Sequence, residues 1–427
     1  MKLVILTPII PFPLDEGGKV SQYAFLEYLQ NYIDIHLFLV VNSSDDNKNI
    51  DELQLKLSKV KIYRFKNFQE KIVVTKKIPL IKKIFWKISD LINPPKKQKI
   101  NINKKEFDDF DREIEFGITL NREITDLISQ NLEDIKPDLV QIEHNFYLNT
   151  IGFLKKYNVI FVEHEIQFAR LLSLKKEFYT PYEEYKISLY KYMEISLLNQ
   201  YNQVFVFSEN DKELLISENI NTKIYVSPFP VLDNFFTPTK LGNKGIEKIV
   251  FVGGSSHYPN KDAIEWYINN ISKVTFQKTG LKFHIIGKCQ PEFIEKYKHN
   301  EIVVFDGFVE DLNKACENSI FIVPLRMGSG IRTKIIQGMA QQLPIVSTTI
   351  GAEGLGAETG KNILIADNPL DFSNEIVKLY NNLDLYNDIS RNGFEFVKEN
   401  YSQKVLGNKR LRIYKEIINN NFFDTYL

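Results

Sequence analysis

Cysteine is nearly missing from this chain: Cys289 and Cys316 are the only two in 427 residues. A disulfide framework is excluded, and a reducing compartment fits. Net charge is missing as well, because 54 Lys+Arg face 54 Asp+Glu. That balance excludes a surface basic throughout, as a general nucleic-acid binder would carry. No run of about 18 apolar residues occurs, so no spanning helix is expected. The apolar start 1–10 contains Pro8, is followed by Pro11 and Pro13, and has no small-residue cleavage site. It reads as a buried first strand and not as a signal peptide, which makes the cytoplasm the expected location. The six histidines form no close cluster with the cysteines, so no metal is expected. A nucleophile elbow and a Walker loop are also absent.

What is present is enough apolar residue, 44%, to bury a large core. The length predicts two domains. Short apolar runs at 2–7, 33–41, 139–142, 159–162 and 204–208 predict strands. Between the first two, Val20, Ala24, Phe25 and Leu29 fall at helical spacing. A polar stretch with Pro238, Gly242 and Gly245 reads as a linker over 232–248. The alternation then restarts, with strands at 248–253, 282–287, 302–305, 320–324 and 344–347 and helices at 263–271, 311–318 and 334–341. This order predicts an α/β protein of two doubly wound, Rossmann-like domains facing across a cleft. The expected divisions are an N-terminal domain 1–235, a C-terminal domain 246–405, and a last helix 406–427 returning to the N-terminal domain.

The stretch Pro324-Leu-Arg-Met-Gly-Ser-Gly-Ile-Arg-Thr-Lys334 carries the clearest chemistry. A strand runs into a turn at Gly328, Ser329 and Gly330, and a helix begins near Thr333. Amide groups of such a turn and helix start bind anions. Arg326, Arg332 and Lys334 add three cations, which suits a diphosphate. A plain strand-to-helix turn with exposed basic residues is the alternative.

Residues 251–355 resemble family-4-like glycosyltransferases of the GT-B type. The resemblance lies in Phe251-Val-Gly-Gly254, Pro259-Asn-Lys-Asp-Ala-Ile-Glu-Trp266, His284-Ile-Ile-Gly287, Phe305-Asp-Gly-Phe-Val-Glu-Asp-Leu312, the basic loop, and Pro344-Ile-Val-Ser-Thr-Thr-Ile-Gly-Ala-Glu-Gly-Leu355. It implies a nucleotide-diphospho-sugar as co-substrate, no required metal or other cofactor, and retention at the anomeric carbon. It places Gly253 and Gly254 by the phosphates and Phe308 and Val309 beside the base. Arg326 through Lys334 become the diphosphate clamp, and Gln337 stands where the family has a ribose-binding glutamate. It puts a histidine, His144 or His164, against the transferred sugar. The family's usual arginine after the first glycine and lysine past the proline are replaced by Gly254 and Asn260.

In the N-terminal half, Gly17 and Gly18 resemble the family's first glycine loop, where backbone approaches the donor closely. His144 and His164 each follow an apolar strand, so they fall at the cleft edge. Glu143, Glu163 and Glu165 beside them are candidates to orient the rings or to bind acceptor hydroxyls. Asp109-Phe-Asp111 matches a metal motif of the other glycosyltransferase fold, but its charged surroundings read as a solvated face.

The expected function is therefore sugar transfer to a glycan or lipid-linked acceptor in cell-envelope polysaccharide synthesis. A UDP-sugar epimerase and a non-catalytic sugar- or partner-binding subunit share the fold and stand as alternatives.

Residues 71–105 hold eleven lysines against one acid, with Phe85 and Trp86 among them. Such a segment fits a peripheral contact with anionic membrane; a solvated excursion is the alternative. Each lysine near an anionic leaflet is worth roughly 1 kcal/mol, screened by salt. Changing Lys82, Lys83 and Lys87 to Glu is expected to release the protein from anionic vesicles in a sedimentation assay. Equal sedimentation of the unaltered chain with neutral and anionic vesicles would remove the membrane contact.

Overall fold

The structure, a computed structural model, describes residues 1–14, 17–66, 119–172, 179–238, 245–328 and 331–424. The lysine-rich segment 71–105, the Asp109-Phe-Asp111 run, Ser329 and Gly330 lie outside the described residues.

Apolar runs bounded by turn residues become parallel strands buried under helices. The first seven are β1 (Lys2–Thr7), β2 (Asp34–Val41), β3 (Lys61–Lys66), β4 (Leu139–Glu143), β5 (Val159–Val162), β6 (Gln203–Val206) and β7 (Lys223–Val226). They form one sheet in the order β3-β2-β1-β4-β5-β6-β7. The next six are β8 (Lys248–Val252), β9 (Lys282–Ile286), β10 (Val303–Gly307), β11 (Ser319–Val323), β12 (Ile345–Ser347) and β13 (Leu364–Ile365), in the order β10-β9-β8-β11-β12-β13. Every pairing is parallel. In each sheet the order reverses beside the first strand, between β1 and β4 and between β8 and β11. A crevice opens at the carboxyl ends of those strands. The glycine loop after β1, the histidine after β4, the Gly253 loop after β8 and the basic loop after β11 all border these two crevices.

Three strands escaped the sequence reading, and all lie toward sheet edges. β3 and β7 are half solvated and carry lysines, which blunts an edge against further pairing. β13 has only two residues. None offers the apolar run that marks a buried strand.

The last helix is Gln403–Asp424, and it starts three residues before the expected boundary. It packs on the helix Gly17–Leu29, where Gly407 lies so close to the Tyr28 ring that a Cβ would collide with it. Val20 through Leu26 of that helix are all buried, because the sheet lies on one side and the last helix on the other. Arg410 is 2% exposed. Its Nε donates to Ser227 Oγ at 2.6 Å, and its guanidinium lies 4.3 Å from the Phe25 ring centroid and 4.5 Å from that of Phe205. The charge is held by hydrogen bonds and aromatic faces rather than by a carboxylate. No helix among the described residues is long and apolar enough to cross a membrane.

Arg410→Ala removes this packing and leaves the Ser227 hydroxyl buried without its donor. A loss of about 3 kcal/mol is expected, read as a lower urea midpoint.

Candidate functional site

On the C-terminal side the site begins where two glycine turns cross. Gly253 has φ 149° and Gly287 φ 142°, conformations that disfavour any side chain. A Cβ on Gly287 would lie 2.9 Å from the carbonyl carbon of Gly253, and one on Gly254 would strike the Lys288 carbonyl. The backbone after β8 is thereby fixed and bare, open to a close ligand.

β11 feeds the basic loop, which ends in the helix Thr333–Ala340. Arg332 is its N-cap residue, and no side chain caps it. Its first amide groups and the positive end of its dipole are suited to an anion. Lys334 projects from the first turn under Gly253. Its Nζ donates to Asn260 Oδ1 at 2.7 Å and lies 4.3 Å from the Phe251 ring centroid. Burial, and then the charge of Arg332, pull its pKa down to about 7. Asn260 stands where the resemblance expects a lysine. Asn260 accepts from the Lys334 ammonium and so orients it across the loop.

Arg332 is half-buried and folds over Gly328, whose φ is 108°. Burial lowers its pKa, and the charges of Glu353, Glu165 and Asp211 oppose that. Two of these acids belong to the N-terminal domain, so Arg332 spans the domain boundary. Arg326 departs from the expected clamp. Its Nε and Nη2 donate to the two carboxylate oxygens of Asp262 at 3.0 and 2.5 Å, and the guanidinium lies over Trp266. That bidentate pair commits the Arg326 fork to Asp262. Phe308 is 75% exposed just past β10, with Val309 half-buried beside it. Gln337 is half-buried one turn after Thr333.

The N-terminal domain also meets this loop at Gly17. A Cβ on Gly17 would run into Thr333 Oγ1, so only glycine allows the approach. Two helix N-termini, Gly17–Leu29 and Thr333–Ala340, thus converge from opposite domains. Gly18 has open space around its Cα, and close approach is no reason for glycine there.

The two histidines come together because β4 and β5 are parallel neighbours with Glu143 opposite Val162. Their rings stack with centroids 3.5 Å apart. His144 has φ 65°, a strained conformation of the kind that gathers at functional sites. Burial, and then the charge of His164, hold its pKa well below the usual imidazole range. His164 Nε2 donates to Glu143 Oε2 at 2.5 Å. Of the two roles open to Glu143, orienting the ring is the one observed.

Glu163 does not face an acceptor. It is 2% exposed, and burial and the nearby Glu194 raise its pKa well above the carboxylate range. The buried Glu194 accepts from Asn145 Nδ2 and from the amides of Gln167 and Phe168. Glu165 is the acid of the three that reaches the cleft, 3.8 Å from Arg170 and within the field of Arg332. Among the described residues no three of His, Cys, Asp or Glu gather as metal ligands would.

Asn260, Asp262, Asp211 and Glu353 were missed from sequence. The first stood in the sequence only as a replaced lysine, with nothing local to say that it would hold Lys334. Asp211 was hidden by its second task, because Ser208 and Asp211 also cap the helix Glu209–Ser217.

Two doubly wound domains with a glycine-rich, basic loop between them are the architecture of the GT-B fold. Residues 246–382 match the family described as glycosyl transferases group 1. The chain is a glycosyltransferase with the GT-B fold. Sucrose-phosphate synthase from Thermosynechococcus elongatus superposes with a TM-score of 0.67 at 12% identity, over 98% of this chain and 100% of that one. Anabaena HepE, solved in complex with UDP, gives 0.63 at 11% identity over 97% and 100%. Both are likenesses of fold. An uncharacterized 44.6 kDa protein in the cps region of Klebsiella pneumoniae is 27% identical over 299 residues, 62% of this chain and 76% of that protein.

The lowered pKa of Lys334 predicts a pH-dependent affinity for a diphosphate ligand. A diphosphate favours the charged amine, so the bound pKa lies above the free value of about 7. Affinity is full below that value and falls as pH rises through it. At pH 8 binding is expected to take up close to one proton, read by calorimetry in buffers of different ionisation enthalpy. Lys334→Met should abolish the uptake and cost about 2–5 kcal/mol of nucleotide affinity.

Proposed function

We propose that the chain moves a sugar from a nucleotide-diphospho-sugar to a glycan or lipid-linked acceptor, with retention and without a metal, in the assembly of a cell-envelope polysaccharide. The observation that carries this reading is the convergence of Lys334, the uncapped start of Thr333–Ala340 and Gly17 on one spot between the domains. The UDP bound by HepE and the cps region of the Klebsiella relative support the donor and the pathway class.

In this mechanism the bond between anomeric carbon and diphosphate breaks while the sugar becomes oxocarbenium-like. Negative charge grows on the leaving diphosphate. Lys334, Arg332 and the helix start stabilise that charge where it develops, which lowers the barrier more than it tightens the ground state. Phe308 and Val309 hold the base, and Gln337 holds the ribose. The acceptor hydroxyl enters from the side of His164 and Glu165, and its proton passes to the departing diphosphate oxygen. The protein works at the inner face of the membrane, with 71–105 as its contact to anionic lipid.

The test is a panel of nucleotide-sugars with the purified chain, each with and without a lipid-linked or glycan acceptor. Nucleoside diphosphate release that requires the acceptor is expected. Epimerised donor without acceptor would instead make the chain an epimerase. Nucleotide binding with no turnover of any donor would make it a binding subunit.

A further inference from the structure

A buried line of hydrogen bonds connects the last helix to the candidate site. Tyr414 Oη donates to Gln141 Oε1 at 2.5 Å. Gln141 Nε2 donates to Glu143 Oε1 at 2.5 Å. The other oxygen of Glu143 accepts from His164 Nε2 at 2.5 Å. Each link is directional. A phenol that donates to Gln141 Oε1 leaves the amide only one way round, with Nε2 toward Glu143. A carboxylate so anchored can do one thing for the ring beyond it, which is to hold a proton on Nε2.

We propose that Tyr414 is a positioning residue for sugar transfer, which fixes the protonated nitrogen and the orientation of His164 through Gln141 and Glu143. The assignment rests on reading His164 as part of the transfer site.

Three further observations separate this line from an ordinary core network. Tyr414, Gln141 and Glu143 are 1%, 3% and 5% exposed, so water does not compete for their bonds. Burial raises the phenol's pKa, which keeps Tyr414 a donor. A small cavity reaches the line, where Gln22, Gln141, Glu143, Arg410 and Tyr414 meet apolar side chains such as Phe25 and Phe229. The Gln22 amide has no hydrogen-bond partner among the described residues. The charged or titratable groups that face the His164 ring are Glu143, which holds it, and His144, which stacks on it at 3.5 Å. Its remaining ring neighbours, Phe207 and Phe229, are apolar. The proton on His164 is therefore set from the Glu143 side. Tyr414 reaches the site from the part of the chain that follows the C-terminal domain, so the ring is tuned by an element outside its own domain's sequence.

The test uses the full chain with Tyr414→Phe, which keeps the ring and deletes one hydroxyl. Gln141→Leu serves as the second variant, interrupting the same line at its next member. Long-range proton–nitrogen NMR reads which ring nitrogen of His164 bears the proton, with the signal assigned by His164→Asn. The unaltered protein is expected to show the Nε2–H tautomer, and both variants a mixture with Nδ1–H. With an active donor and acceptor pair, both variants should lose about tenfold or more in kcat while donor KM stays within about twofold. A single Nε2–H tautomer retained in either folded variant would overturn the proposal, as would kcat unchanged in both. The NMR arm needs no substrate. A chain that transfers no sugar would end the transfer reading, while the tautomer result still decides whether Tyr414 sets the ring.

Discussion

The candidate site depends on a cation held by a neutral amide. Lys334 is pressed against Asn260 and the face of Phe251, and the charge acting on it is the like charge of Arg332. A buried ammonium without a carboxylate is costly, and its lowered pKa expresses that cost. An anion with the right reach would relieve that cost. A carboxylate at 260 would have stabilised the resting protein and competed with the substrate. The amide orients Nζ without neutralising it. Glycine at 253 serves the same end, because a side chain there would press on Asn260 and on the Lys334 ammonium.

The second cation is handled in the opposite way. Arg332 sits among Glu165, Asp211 and Glu353, two of them from the other domain. Its counter-charges therefore depend on how the domains face each other. Lys334 belongs to one domain alone, so the two cations respond differently to a rearrangement of the cleft. Arg326 is a third case. Its fork is satisfied by Asp262 and its plane by Trp266, and it ties the basic loop to the helix Tyr258–Asn270.

The buried strands were legible to within two residues, because a covered parallel strand must be apolar almost throughout. The edges were not, since β3, β7 and β13 follow from the strand already beside them more than from their own composition. At the site, glycine and charge announced the loop 324–334 and the turn at 253. Pairing did not announce itself. Nothing local at Arg326 points to Asp262, 64 positions away, and nothing at Glu163 separates it from Glu143 and Glu165. All three glutamates follow strands. Only the fold decides that one orients a histidine, one is buried in the interior and one reaches the cleft.

The chain passes between the domains twice, and the two crossings lie side by side. Val231 forms a bridge with Ser402, its amide donates to the Tyr401 carbonyl at 2.8 Å, and the Asp233 amide donates to Gln403 Oε1 at 2.8 Å. A lone crossing would be a swivel, free to twist about its own bonds. Two crossings laced together resemble the paired knuckles of a door hinge. They suppress torsion and sliding and leave one easy rotation, about an axis through the pair. A rotation about that axis would carry every residue of the C-terminal domain along the same arc, and Thr333 would leave Gly17 by the path on which it returns.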